Sequence, residues 1–156
     1  MANVIIDSCT YGKITKDPSW ELLVENIIKD KSFIVFNFKV IRDELRKAPS
    51  QVLRIYDQMV STNIIQETKQ MVQLAQEYYK EYKKNGGNVG KKKILNDFKI
   101  VACASIKNCD LLFSDDENTL KCKKALDAYR TVNLKKNYRT PTFYNLLDLK
   151  KRYLTR

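Results

Sequence analysis

Five carboxylates carry the chemistry available to this sequence. Asp7 closes the apolar run "VII", Glu44 lies in "VIRDELRK", Asp97 in "ILNDFKIVACAS", and Asp115 and Asp116 follow Ser114 in "LLFSDD". Carboxylates held together repel, and some protonate unless a cation neutralises them. A cage of carboxylates and water, with no nitrogen or sulfur ligand, suits Mg²⁺ or Mn²⁺. Such a metal lowers the pKa of bound water and stabilises charge growing on a phosphodiester. The chain has no histidine, so Ser-His-Asp and Cys-His nucleophile systems and an imidazole base are excluded. A metal would supply the activated water that an imidazole cannot.

The elements that must position these acids follow from hydropathy. Residues 3–8, "NVIIDS", read as a strand buried on both faces and ending in Asp7. A helix follows in "KDPSWELLVENIIKDK", with Asp17 as N-cap, Pro18 first, and Trp20, Leu23, Val24, Ile27 and Ile28 on one face. Residues 32–38, "SFIVFNF", form a second strand, and "KVIRDELRKAPS" a short helix stopped before Pro49. A helix from Pro49 turns Val52, Leu53, Tyr56 and Met59 inward. Residues 64–84 read as a long helix whose stripe, Ile64 to Tyr82, suits core or dimer packing better than base stacking. Residues 83–93, "KKNGGNVGKKK", form a loop, either touching phosphates or serving as a mobile connector. Then come a helix over Ile94–Lys107, a strand over Leu111–Phe113, helices over Thr119–Tyr129 and Thr142–Leu154, and a short edge strand in "NYRTPTF". Strands alternating with helices predict a parallel α/β sheet.

Ligands of such sheets bind at the carboxyl ends of the strands. Asp7, Asp115 and Asp116 fall at those ends, and Glu44 lies in the helix after the second strand. Asp97 falls in the first turn of the helix that leads to "LLFS". Each acid also has a plain reading. Asp7 suits a turn, Asp97 a helix N-cap, Asp115 or Asp116 a cap for the helix at 119, and Glu44 a surface position between Arg42 and Arg46.

The 156 residues suit one domain over 1–156 with a single core. There are 29 Lys+Arg against 18 Asp+Glu, a formal charge of +11, which favours RNA or DNA as partner through counterion release. No apolar run reaches bilayer length, and "MANVIIDSCTYGK" has no basic region before an apolar core, so a cytoplasmic location is expected. Cys9, Cys103, Cys109 and Cys122 include no Cys-x-x-Cys, so neither zinc nor disulfides are expected.

With "VIIDSC", "VIRDELRK", "ILNDFKIVACAS" and "LLFSDDENTL" in this order, the chain resembles PIN-domain ribonucleases, especially the compact archaeal, VapC-like type. The resemblance rests on the order of the acids and extends to the late "NYRTPTF". It implies a three-layer α/β/α fold around a parallel sheet of four or five strands. It implies hydrolysis of RNA phosphodiesters, dependent on Mg²⁺ or Mn²⁺, with Asp7, Glu44, Asp97 and Asp116 as the acids and Ser114 at the Ser/Thr position. Asp115 becomes a second ligand or an orienting group. Asp43 is turned away from Glu44 by one helix step of about 100°.

The expected protein is thus a metal-dependent endoribonuclease, either a toxin with an antitoxin partner or an RNA-processing enzyme. A homodimer is implied by the same resemblance. Lys13 and Lys91, Lys92 and Lys93 are candidates to hold the RNA backbone, although a charge run is also an ordinary solvated face. The rival from another class is an inactive RNA-binding or scaffold protein on the same fold. A phosphoryl-transfer enzyme of the haloacid dehalogenase type needs a second Asp where this chain has Cys9.

Overall fold

The apolar run Val4–Ile6 has no alternation, so it has no face to turn to water, and it becomes an inner strand covered on both sides. The computed structural model describes residues 1–154; the last two positions of the expected 1–156 domain lie outside them. The strands β1 (Ala2–Ile6), β2 (Phe33–Val35), β3 (Leu111–Phe113) and β4 (Thr142–Tyr144) form one parallel sheet in the order β2-β1-β3-β4. The chain leaves β1 for β2 on one side and later returns to β3 on the other. The crevice between β1 and β3 is therefore the switch point where open sheets bind ligands.

Eight helices cover the sheet: α1 (Ser8–Lys16), α2 (Trp20–Lys29), α3 (Lys39–Leu45), α4 (Ser50–Met59), α5 (Lys69–Lys84), α6 (Lys91–Ile106), α7 (Lys123–Lys136) and α8 (Leu146–Leu154). Helices α1, α2, α4 and α8 pack together, α5 packs on α6 and α7, and α3 touches both α1 and α6. This is the expected α/β/α layering with four strands. No helix of the described residues is long and apolar enough to cross a membrane.

Several boundaries differ from those expected, each for a local reason. Helix α1 has no counterpart among the expected elements. Helix α2 begins at Trp20 rather than Pro18, and Asp17 instead ends α1 while accepting from Ser19 N–H at 2.8 Å. Residues 64–68 are not helical: Ile65 exchanges backbone hydrogen bonds with Asn37 and Lys39, and Thr68 caps α5 by accepting from Met71 N–H. Lys91–Lys93 belong to the first turn of α6 rather than to the loop, so Asp97 sits in its second turn. The remaining loop is tethered, because Lys124 Nζ donates to Gly86 O and Val89 N–H donates to Tyr82 Oη. Helix α7 starts at Lys123 instead of Thr119 and runs on to Asn137, whose left-handed φ of 63° ends it. Thr142–Tyr144, expected to open the last helix, is the edge strand β4.

The tyrosine stripe of α5 lies in the core. Tyr78 and Tyr82 meet Phe98 edge-on at 6.5 and 5.6 Å, and Tyr129 meets it at 5.5 Å. Such ring pairs prefer edge contacts and add about 0.5–1.5 kcal/mol each beyond burial. Phe98 adjoins Asp97, so this cluster fixes the rotation of α6 and with it the direction of Asp97. All four cysteines are free: Cys103 and Cys109 are buried, but Cys9 is exposed beside Asp7.

Candidate active site

Asp7 follows β1 and is only 3% exposed, because its backbone N–H is held by Phe113 O of β3 at 3.0 Å. It is also the N-cap of α1. Its Oδ1 accepts from Thr10 N–H at 2.9 Å and from Thr10 Oγ1 at 2.6 Å, and its Oδ2 accepts from Ser114 Oγ at 2.6 Å. Ser114 thus ties the ends of β1 and β3 together, and its Oγ also accepts from Asp116 N–H at 3.0 Å. Glu44 comes from α3, and its Oε1 accepts from Ser8 Oγ at 2.8 Å. Asp43 is turned away, as expected, and pairs with Lys39 at 2.9 Å.

Asp97 and Asp116 share one hydroxyl. Thr119 Oγ1 lies 2.7 Å from Asp97 Oδ2 and also contacts Asp116 Oδ2. Asp116 Oδ1 accepts from Thr119 N–H at 2.9 Å and from Asn118 N–H at 3.1 Å. Thr10 and Thr119 play parallel parts, and both stand three residues after an acid, in "DSCT" and "DENT". That repeated Asp-x-x-Thr spacing was the signal available in the sequence for Thr10 and Thr119. Ser8 carried none, because its partner lies in another element.

The tandem aspartates divide. Asp115 Oδ1 accepts from Leu146 N–H at 2.7 Å, and Asp115 Oδ2 pairs with Lys13 at 3.0 Å. Burial pushes the Asp115 carboxyl up, but the Leu146 N–H and the Lys13 ammonium outweigh it and hold the acid below its ordinary range. Asp115 therefore faces α8 and α1, whereas Asp116 faces the other acids.

The electrostatics bind Asp7, Glu44, Asp97 and Asp116 into one group. Burial is the main cause that raises the Asp7 carboxyl, with Asp116 adding repulsion. Burial likewise raises Glu44, with Asp7 adding to it. Asp97 is pushed up to about 7, first by burial and then by repulsion from Asp116, Glu44 and Asp7, against the opposing hydrogen bond of Thr119. The Thr119 hydroxyl has one proton for two carboxylates, so it donates to one of them at a time.

Among the described residues, none of these four acids forms an ion pair, although the chain carries an excess of +11. Neutral hydroxyls hold every one: Thr10 and Ser114 on Asp7, Ser8 on Glu44, and Thr119 on Asp97 and Asp116. Hydroxyls satisfy the oxygens but leave the negative charge uncancelled. Lys47 offsets part of the charge on Glu44, and this all-oxygen donor set with no cation in contact fits the chemistry of Mg²⁺ or Mn²⁺. Among the described residues no three acid or thiol side chains stand close enough to chelate an ion directly.

The candidate lysines lie apart. Lys13 is half-exposed and already paired with Asp115. Lys91, Lys92 and Lys93 are exposed in the first turn of α6, one turn before that of Asp97.

No family model matches the chain, and no curated protein matches it by sequence. By structure it is similar to VapBC2 from Rickettsia felis bound to a DNA fragment from their promoter. The TM-score is 0.55 at 16% identity, covering 92% of this chain and 98% of that one. That likeness, with the parallel sheet and its two helical layers, shows a PIN-like three-layer α/β/α fold.

Proposed function

We propose that the chain is a metal-dependent endoribonuclease whose site is Asp7, Glu44, Asp97 and Asp116. The observation that carries this reading is the gathering of four unpaired carboxylates, from four separate stretches of chain, around the β1–β3 switch point. These four acids would hold one or two Mg²⁺ or Mn²⁺ ions, directly or through water. A bound ion would supply an activated water and stabilise charge on the phosphodiester. Ser114 and Thr10 keep Asp7 fixed, Ser8 orients Glu44, and Asp115 acts as an orienting group through α8 and Lys13. Lys91, Lys92 and Lys93 hold the RNA backbone; at the start of α6 their charge adds to the positive end of the helix dipole.

A single domain over 1–156, a cytoplasmic location and a homodimer belong to the same reading. The likeness to VapBC2 supports an antitoxin protein as a further partner. One observation favours the inactive RNA-binding or scaffold alternative: no three acids are set to chelate an ion as they stand among the described residues. Two measurements decide between them. Mn²⁺ raises the melting temperature of a native chain that binds it, and Asp7→Asn abolishes Mn²⁺-dependent RNA cleavage while leaving the circular dichroism intact. A wild-type chain whose melting ignores Mn²⁺, or an Asp7→Asn protein of full activity, sinks the enzyme reading.

A further inference from the structure

We infer that Thr119 is a positioning residue for Asp97 and Asp116, an inference that rests on the site proposed above. Asp97 rides on α6, and Asp116 on the turn after β3. Nothing in either element alone sets the distance between the two acids. The Thr119 hydroxyl sets it, because one oxygen stands within hydrogen-bonding distance of both carboxylates, 2.7 Å on the Asp97 side. Thr119 is itself fixed on Asp116 by its backbone N–H at 2.9 Å. Ser8, Thr10 and Ser114 each donate from the side chain to one acid. Thr119 is the hydroxyl that reaches two.

Thr119 is 7% exposed, so bulk water has no ready access to replace it. A lysine could bridge the same two acids, but its charge would cancel theirs and exclude a cation. Without any bridge the acids would splay under their own repulsion. A hydroxyl avoids both outcomes. It adds no positive charge, and among the described residues it leaves Asp97 Oδ1 free for a metal or its waters, while Asp116 Oδ1 is held by the Thr119 and Asn118 N–H groups. Positioning of this kind commonly changes metal affinity by about 10- to 100-fold when it is removed.

The test uses the full chain with Thr119→Val, Thr119→Ala and Thr119→Ser. Mn²⁺ binding is followed by calorimetry, well below each protein's melting temperature. Valine keeps the shape and removes the hydroxyl; alanine gives a smaller hydroxyl-free variant should valine fail to fold. Thr119→Val or Thr119→Ala should weaken Mn²⁺ binding by about tenfold or more. Thr119→Ser should bind as the wild type does. At saturating Mn²⁺ the KM for RNA should not change, which places the defect in the metal site and not in substrate binding. A merely structural threonine would lower melting without moving the Mn²⁺ midpoint. Hydroxyl-free variants that bind Mn²⁺ like a binding-competent wild type overturn the positioning role alone, as does a serine variant that fails to restore binding. A wild-type chain that binds no Mn²⁺ overturns the site itself and this inference with it.

Discussion

Asp97→Asn should make the metal-free protein more stable, and increasingly so as pH rises. In the folded chain Asp97 titrates at about 7, against 3.8 for an ordinary aspartate. The folded chain thus binds this proton more tightly than the unfolded one. The stability linked to the proton is fully present below pH 3.8 and is lost as pH rises through about 7. A shift of roughly 3 units at about 1.36 kcal/mol each amounts to about 4 kcal/mol of destabilisation above that range. Roughly 2–3 kcal/mol of it develops between about pH 5 and about pH 8. An asparagine cannot ionise, yet its carbonyl can accept the Thr119 hydroxyl and its amide can donate towards Asp116. Urea unfolding in a chelator, followed by the fluorescence of Trp20, measures the effect. The advantage of Asp97→Asn over the wild type should be about 2–3 kcal/mol larger at the higher pH. An advantage that is equal at both pH values, or absent at the higher one, refutes the claim that Asp97 is a half-buried acid held among other acids. A variant that gains stability while losing cleavage would mark Asp97 as kept for function rather than for folding.

Two other perturbations separate neighbouring roles. Asp116→Asn should abolish Mn²⁺ binding, whereas Asp115→Asn should retain it and cost about 1 kcal/mol in urea unfolding through its weakened hold on Leu146 N–H and Lys13; calorimetry with the reverse order of effects refutes the division of the tandem. Replacing Lys91, Lys92 and Lys93 with glutamine should weaken RNA binding and reduce the slope of log K against log salt by about 0.7 for each phosphate that is no longer neutralised. An unchanged slope removes those lysines from the RNA path.

The elements were legible where the signal was local. Val4–Ile6 betrays a strand as an unbroken apolar run, Trp20–Ile28 and Met71–Tyr82 betray helices through their periodicity, and the order of the elements was enough for a parallel sheet. The four acids were legible through their order along the chain. Boundaries were missed where a distant partner outweighed local preference. Ile65 gives up a helical turn to pair beside β2, and Thr119 stays outside α7 while its hydroxyl turns to Asp97.

The sequence by itself determined the chemistry available: acids without histidine, a basic chain, and strands that end in aspartate. The tertiary structure alone decided which acids meet. Asp115 and Asp116 are adjacent in the chain and nearly equivalent on paper, yet one turns to Leu146 and Lys13 and the other to Thr119. The reason is one of range. Hydropathy acts along a segment, whereas hydrogen bonds and repulsion between carboxylates act across space and exist only once β1, β3, α3 and α6 have been brought together.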